Sequence, residues 1–133
     1  MNEKVKYWIE MAEYDLETAS AMLDSKRYLY VGFMLHQCIE KSLKALFIFV
    51  NNENQPPYTH SLLKLAQLSQ IYDEMAENHQ DLIDILEPLN IEARYPTHKD
   101  RLLKELSDTK CRLLLNETEA MFTWINNKLT KAS

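Results

Sequence analysis

The sequence is poor in the residues that make tight turns. Its 133 residues include one glycine, Gly32, and four prolines, whereas glycine alone averages about 7% of residues in ordinary proteins. β-Hairpins depend on glycine and on Asn-Gly pairs at their turns. The shortage argues against most β-sheet folds and favours long helices with few connections. A chain of this length can bury a core of its own, so we expect a single domain over residues 1–133.

Acidic residues outnumber basic ones, and cysteine is scarce. The formal net charge is −5, so the chain has no overall field that attracts nucleic acid, and any such contact must come from a local cluster. The two cysteines, Cys38 and Cys111, lie within apolar helical patterns. A free thiol in such a place behaves as a small hydrophobic group, and no disulfide is expected.

Long apolar runs are absent as well. The most apolar run, Leu43–Val50, is far shorter than the roughly 20 residues needed to span a bilayer. The N-terminal stretch carries charges from Glu3 onward and lacks the apolar centre of an export signal. We therefore expect a cytoplasmic protein without membrane contact.

Apolar residues recur at helical spacing along most of the chain. The first amphipathic segment covers roughly Glu3–Asp24, and the second, which is the most apolar, covers about Tyr28–Val50. Apolar residues flank the C-terminal half of the second segment on both sides. This pattern predicts a central helix that touches several neighbours or a partner chain.

Three further helices are expected after the polar, proline-containing stretch at residues 51–57. Thr59 is a candidate N-cap for a short third helix. A fourth helix runs from about Gln80, is kinked by Pro88 and stops before Pro96, and a last one begins between residues 100 and 108. The prediction is an all-α, five-helix, up-and-down antiparallel bundle.

The strongest basic patch of the sequence follows the fourth helix, at residues 92–101. An imidazole beside a guanidinium can take a proton while the guanidinium carries phosphate charge, which is the pair that metal-independent RNA cleavage requires. Arg94 and His98 are the candidate catalytic pair. Alternatively, Arg94 caps carbonyls at the helix end and His98 is a solvated loop residue. Other candidate binding residues in the patch are Tyr95, Lys99 and Arg101.

A second polar cluster lies on the second helix. His36, Glu40 and Lys44 follow one another at spacings of four residues, and Glu40 with Lys44 forms an ion pair in the favourable order. We predict a solvent-exposed polar strip, with Glu40 and Lys44 as candidate binding residues. His36 and Glu40 lack a third ligand at a convincing spacing, so we expect no metal and no cofactor.

Four short motifs stand in the order characteristic of one family. They are Ala12-x-x-Asp15-Leu16-x-x-Ala19-x-x-x-Leu23, Gln37-x-x-Glu40-Lys41-x-Leu43-Lys44-Ala45-Leu46, Thr59-His60-Ser61-Leu62 and Ala93-Arg94-Tyr95-Pro96. Over nearly its whole length the sequence resembles HEPN-domain proteins. The resemblance implies a HEPN-like bundle that pairs as a homodimer and is often encoded beside a minimal nucleotidyltransferase, in a toxin–antitoxin-type module.

Many members of that family are metal-independent ribonucleases whose site is an arginine and a histidine, duplicated across the dimer cleft. The resemblance places this pair at Arg94 and His98, with Glu40 as a polar neighbour. Only three residues separate the pair here, and Tyr95-Pro96 follows the arginine, which departs from the pattern of the active enzymes. The first hypothesis is therefore an interaction and regulatory partner of a nucleotidyltransferase. An endoribonuclease toxin and a nucleotide-binding bundle are the alternatives, with RNA or a nucleotide as ligand.

Overall fold

The computed structural model describes residues 2–92 and 99–131, and all regular structure within these ranges is helical. The all-α prediction is confirmed. The helices are α1 (Glu3–Asp24), α2 (Tyr28–Asn51), α3 (Leu62–Leu68), α4 (Glu77–Leu86), α5 (Leu89–Glu92), α6 (Lys99–Glu105) and α7 (Asp108–Lys131), and a 3-10 turn covers Tyr72–Glu74.

The five predicted helices correspond to these segments, except that the structure divides the fourth and the last predicted helix in two. Pro88 does more than kink the fourth helix, because α4 ends at Leu86 and α5 starts afresh at Leu89. The last predicted helix is divided near Ser107, whose Oγ accepts a hydrogen bond from the backbone N of Lys110 at 3.2 Å and so caps the start of α7.

α1 and α2 form an antiparallel hairpin. Asn2 caps α1 by accepting a hydrogen bond from the backbone N of Lys4 at 2.6 Å. The turn that follows α1 is short because Lys26 adopts a positive φ of 62°, which reverses the chain within three residues. α7 packs against both helices of the hairpin.

α2 is the centre of the bundle, as its apolar flanks predicted. It contacts every other α-helix of the described chain: α1, α3, α4, α5, α6 and α7. Its fully buried apolar residues lie on more than one face and include Val31, Leu35, Cys38, Ile39, Leu43 and Ala45. Cys38 and Cys111 are both buried free thiols. No helix in the described ranges combines the length and hydropathy that crossing a bilayer requires.

α3 is capped at Ser61 and not at Thr59, where the sequence pattern placed the cap. Ser61 Oγ accepts a hydrogen bond from the backbone N of Lys64 at 3.2 Å. Thr59 Oγ1 instead accepts one from the backbone N of Ser61 at 3.1 Å. The carboxylate of Glu87, just beyond α4, accepts hydrogen bonds from the backbone N of Leu62 at 2.8 Å and from the backbone N of Leu63 at 3.1 Å. The carboxylate therefore ties the end of α4 to the start of α3.

At Gly32, α5 packs against α2. A Cβ at this position would lie 2.9 Å from Cδ1 of Leu89 and 3.4 Å from Cδ1 of Leu106. The absence of a side chain lets the two leucines pack close to the α2 backbone, and a side chain much larger than that of alanine would displace them. The glycine thereby sets the position of α5, the helix that leads into residues 93–98.

We predict that Gly32→Ala and Gly32→Leu separate helix propensity from packing. The alanine gains about 1 kcal/mol of helix propensity and displaces only the flexible end of Leu89, so its free energy of unfolding should stay within about 1 kcal/mol of wild type. The leucine overpacks the contact and should cost roughly 2–3 kcal/mol. Urea denaturation measures both. Equal stability of the leucine variant would contradict the packing of α5 on Gly32.

Candidate functional site

The predicted catalytic pair cannot be placed, because Arg94, Tyr95 and His98 lie outside the described residues. Lys99 begins α6, although its side chain is not among those described, and Arg101 is exposed on the same helix. The candidates that the structure locates inside the bundle are Glu40 and Lys44. They belong to a polar cluster centred on Glu40.

Glu40 is a buried carboxylate in the middle of α2, with 3% of its surface exposed. Its Oε1 accepts hydrogen bonds from Nε2 of His36 at 3.3 Å and from Nδ1 of His60 at 3.1 Å. Its Oε2 accepts one from Nζ of Lys44 at 2.9 Å. The predicted solvent-exposed strip is therefore wrong, since His36, Glu40 and Lys44 are all buried. They form the Glu40 cluster together with His60.

His36 is the fully buried histidine of this cluster. Its Nδ1 lies 3.0 Å from the carbonyl oxygen of Leu86, at the end of α4. Its Nε2 faces the carboxylate of Glu40. A carbonyl and a carboxylate are both hydrogen-bond acceptors. His36 therefore bridges the end of α4 and the carboxylate of Glu40.

The donors around Glu40 keep it ionised. Burial alone would raise the pKa of this carboxyl group, but hydrogen bonds from His36, Lys44 and His60 and the charge of Lys44 outweigh burial and lower the pKa to about 2. Glu40 and Lys44 therefore form a buried ion pair, with His36 and His60 as further hydrogen-bond partners of the carboxylate.

His60 is the member of the cluster that reaches solvent, with 65% of its side chain exposed. It precedes the N-cap of α3 and comes from a point 20 residues away from Glu40 in the chain. The family motif Thr59-His60-Ser61 was the sequence signal for His60, but the spacing along the sequence did not indicate that this motif contacts α2. The structure brings the second and third motifs into direct contact.

The cluster is linked to α5 through an amide pair. Nε2 of Gln37 donates a hydrogen bond to Oδ1 of Asn90 at 2.7 Å, and Asn90 is buried. The bond anchors α5 to α2 one turn away from Glu40, just before the chain enters residues 93–98. Asn90 is a residue that sequence reasoning missed, because a single buried asparagine carries no periodic signal.

Two surface grooves adjoin the Glu40 cluster. The first has a volume of about 640 Å³ and lies between the start of α1 and residues 54–58, with Lys44 in its lining. The second, of about 600 Å³, is lined by His60, Pro88 and Asn90 among others. Because Lys44 and His60 share the Glu40 carboxylate, the cluster connects the two grooves. Within the described residues, no group of three or more metal-ligating side chains is arranged to hold a metal ion.

The fold and the site define the class of the protein, which is an all-helical bundle with a buried polar cluster on its central helix. The sequence matches the HEPN domain over residues 5–128, and the chain belongs to that family. No curated protein matches the sequence.

Two solved structures have the same fold. TT1696 from Thermus thermophilus superposes with a TM-score of 0.77 at 23% sequence identity, and the match covers 97% of this chain and 100% of that one. ST0689, an archaeal HEPN homologue, superposes with a TM-score of 0.65 at 21% identity, covering 97% and 99% of the two chains. At these identities the likeness establishes the fold.

We predict that Glu40→Gln strongly destabilises the protein, because it leaves the ammonium group of Lys44 buried without a counter-charge. The expected loss is roughly 3–5 kcal/mol in the free energy of unfolding near pH 7. The matched control is Glu10→Gln. Glu10 also forms an i,i+4 pair, with Lys6 at 4.0 Å, but both side chains are mostly exposed, so the control should change stability by less than about 1 kcal/mol.

We also predict that the destabilisation caused by Glu40→Gln depends on pH. The pKa of Glu40 is lowered in the folded protein, so its stabilisation is fully present above the ordinary carboxyl pKa and is lost as pH falls towards 2. The stability difference between wild type and Glu40→Gln should therefore shrink between about pH 5 and pH 2. Denaturation curves across this range measure it. A constant difference at all pH values would argue against an ionised Glu40.

Proposed function

We propose that the protein is a homodimeric regulatory partner of a minimal nucleotidyltransferase, acting in the cytoplasm as one half of a toxin–antitoxin-type module. The observation that carries the proposal is that the hydrogen bonds of the Glu40 carboxylate are all made within the protein. Both carboxylate oxygens are committed to side chains of the protein itself. Such a network fixes α2, α3 and α4 relative to one another, and each carboxylate oxygen already has a partner within the protein.

Co-expression with the nucleotidyltransferase encoded next to this chain tests the partner role. We expect a stable complex on size-exclusion chromatography with light scattering, and a homodimer when the chain is expressed alone. A monomer that binds no such protein would contradict the proposal. The Gly32→Leu variant adds a structural control, because displacing α5 should weaken the complex if the partner contacts the region around residues 93–98.

The second candidate is a metal-independent endoribonuclease with His98 as general acid or base and Arg94 on the phosphate. The hydrogen bond between Gln37 and Asn90 favours it, because α5 is held firmly where the chain enters this pair. Lys99 and Arg101 would add phosphate contacts and Tyr95 a stacking surface, while Glu40 and Lys44 would support the site from α2.

RNA cleavage in EDTA separates the two candidates. If the protein is a ribonuclease, Arg94→Ala and His98→Ala should each reduce cleavage by at least about 100-fold. Arg112→Ala is the matched control, since Arg112 is more than half exposed and pairs with Asp108 at the surface. Absence of cleavage by the wild-type protein would leave the regulatory role. If the wild-type protein cleaves RNA and only the Arg94 and His98 variants lose this activity, the ribonuclease role replaces the regulatory role.

A nucleotide-binding bundle is the third candidate. The open groove beside Lys44 favours it, because a buried cation and several aromatic side chains meet there.

A further inference from the structure

The solvent side of α1 repeats with a period of seven residues. One row is acidic and fully on the surface, and it consists of Glu3, Glu10, Glu17 and Asp24. The neighbouring row is also exposed and consists of Tyr7, Tyr14 and Ala21. Residues seven apart lie nearly above one another on a helix, about 10.5 Å apart along its axis. The two rows together form the outer face of α1.

The two tyrosines of the outer face present their rings to solvent. Tyr7 is 55% exposed and Tyr14 is 65% exposed. Glu10 lies between them in the sequence, and its side chain is 65% exposed. Tyrosine is enriched at protein–protein interfaces, because one rigid ring covers a large area and its hydroxyl group can still bond to a polar partner. Rings beside carboxylates therefore give this face the composition of a contact surface.

Negative charge is concentrated on this helix. Six acidic residues and two lysines give α1 a net charge of −4, out of −5 for the whole chain, and no basic residue follows Lys6 on the helix. Within residues 2–92 and 99–131, Glu10 is the one member of the acidic row that has an ion pair. Its partner, Lys6, lies 4.0 Å away, and both side chains are mostly exposed. The acidic row is therefore largely without counter-charge in this part of the chain.

The stability of α1 does not account for the acidic row. A carboxylate four residues before a lysine or arginine stabilises a helix, but Tyr14 follows Glu10 at that spacing and Ala21 follows Glu17. Asp24 lies in the last turn of α1, where the helix dipole disfavours a negative charge. A positively charged partner would compensate these carboxylates.

We propose that the outer face of α1 binds a basic helix of a partner protein. A period of seven residues is the period at which two helices stay in contact along their length. The tyrosine row packs against apolar side chains of the partner helix, and basic side chains beside them pair with Glu10 and Glu17. Arginine fits both rows, because its guanidinium group binds a carboxylate through two hydrogen bonds and stacks on an aromatic ring.

Charge complementarity selects this occupant. Pairing of α1 with α1 of a second copy would place two acidic rows side by side, and like charges across an interface cost free energy. Nucleic acids and acidic membranes carry negative charge as well and are repelled by the row. The inference goes beyond the proposed function, because it states the shape and charge of what binds and holds whichever protein supplies the helix.

The probe for the test is a synthetic helical peptide of about three heptads, which matches the roughly 33 Å length of the 22-residue α1. It carries leucine at the contact positions and arginine beside them, and its binding to the intact protein is measured by calorimetry. A peptide with the same residues in scrambled order should bind at least about tenfold more weakly, and one with glutamate in place of arginine should not bind. Absence of binding by the basic peptide at millimolar concentration, or equal binding of the scrambled peptide, would overturn the proposal.

Charge-reversing variants locate the contact. Glu10→Lys combined with Glu17→Lys should weaken binding of the basic peptide at least about tenfold. The matched control is Glu53→Lys combined with Glu119→Lys, which changes the net charge equally at exposed positions outside α1. Equal losses in the two double variants would show that binding follows the overall charge of the protein, and the assignment to α1 would be wrong.

The tyrosine row is tested with the same peptide. Tyr14→Ala should weaken binding roughly tenfold, because an exposed ring that becomes buried in a contact contributes much of its affinity. Tyr30→Ala is the matched control, since Tyr30 is 52% exposed but belongs to α2, and binding should not change. If both variants bind as tightly as wild type, or lose affinity equally, the tyrosine row is not the contact and the proposal fails.

The oligomeric state of the isolated chain tests the other possible occupant of this face, a second copy. Light scattering should give the same mass for the wild type and for the double variant Glu10→Lys, Glu17→Lys. Circular dichroism of each variant should match that of the wild type, because all the substituted side chains are exposed. A changed mass with unchanged helix content would show that a second copy covers the outer face of α1, and would overturn the proposal.

Discussion

The junction of α2, α3 and α4 depends on the buried carboxylate of Glu40. Removing the charge of Glu40 from water is costly, and the cost is offset only when several donors surround it at hydrogen-bonding distance. Those donors come from two parts of the chain: His36 and Lys44 from α2 itself, and His60 from the residues before α3. Through His36 the same network reaches the last carbonyl of α4. One ionised group thus fixes the positions of three chain segments relative to one another.

The position of α5 follows from the same face of α2. Gly32 allows Leu89 to approach the α2 backbone, and Gln37 holds Asn90 by a short hydrogen bond. An apolar contact and a polar contact therefore fix adjacent residues of a helix that is only one turn long. Such a short helix has little stability of its own. Its geometry, and with it the point where the chain enters residues 93–98, is a property of α2.

Sequence periodicity predicted the long helices well and the cluster poorly, for one physical reason. Spacing of three and four residues shows which side chains share a helix face, so α1, α2 and α7 could be predicted and the central place of α2 followed from its apolar flanks. It does not show what covers that face. Glu40 is covered by His60, 20 residues away, and His36 by Leu86, 50 residues away. Without those contacts a His-Glu-Lys strip has the pattern of a solvated surface.

The charge distribution bears on two of the candidate ligands, a nucleotide and RNA. The net charge of −5 acts over the whole surface, and salt screens it beyond about 8 Å. The ammonium group of Lys44 acts at contact distance, where screening is weak, and Lys4 belongs to the lining of the same groove. A longer RNA strand needs further cations along its path, and the strongest basic patch of the sequence lies at residues 92–101. The two candidate ligands therefore make different demands on the charge of the bundle: a nucleotide needs one local cation, and an RNA strand needs a row of them.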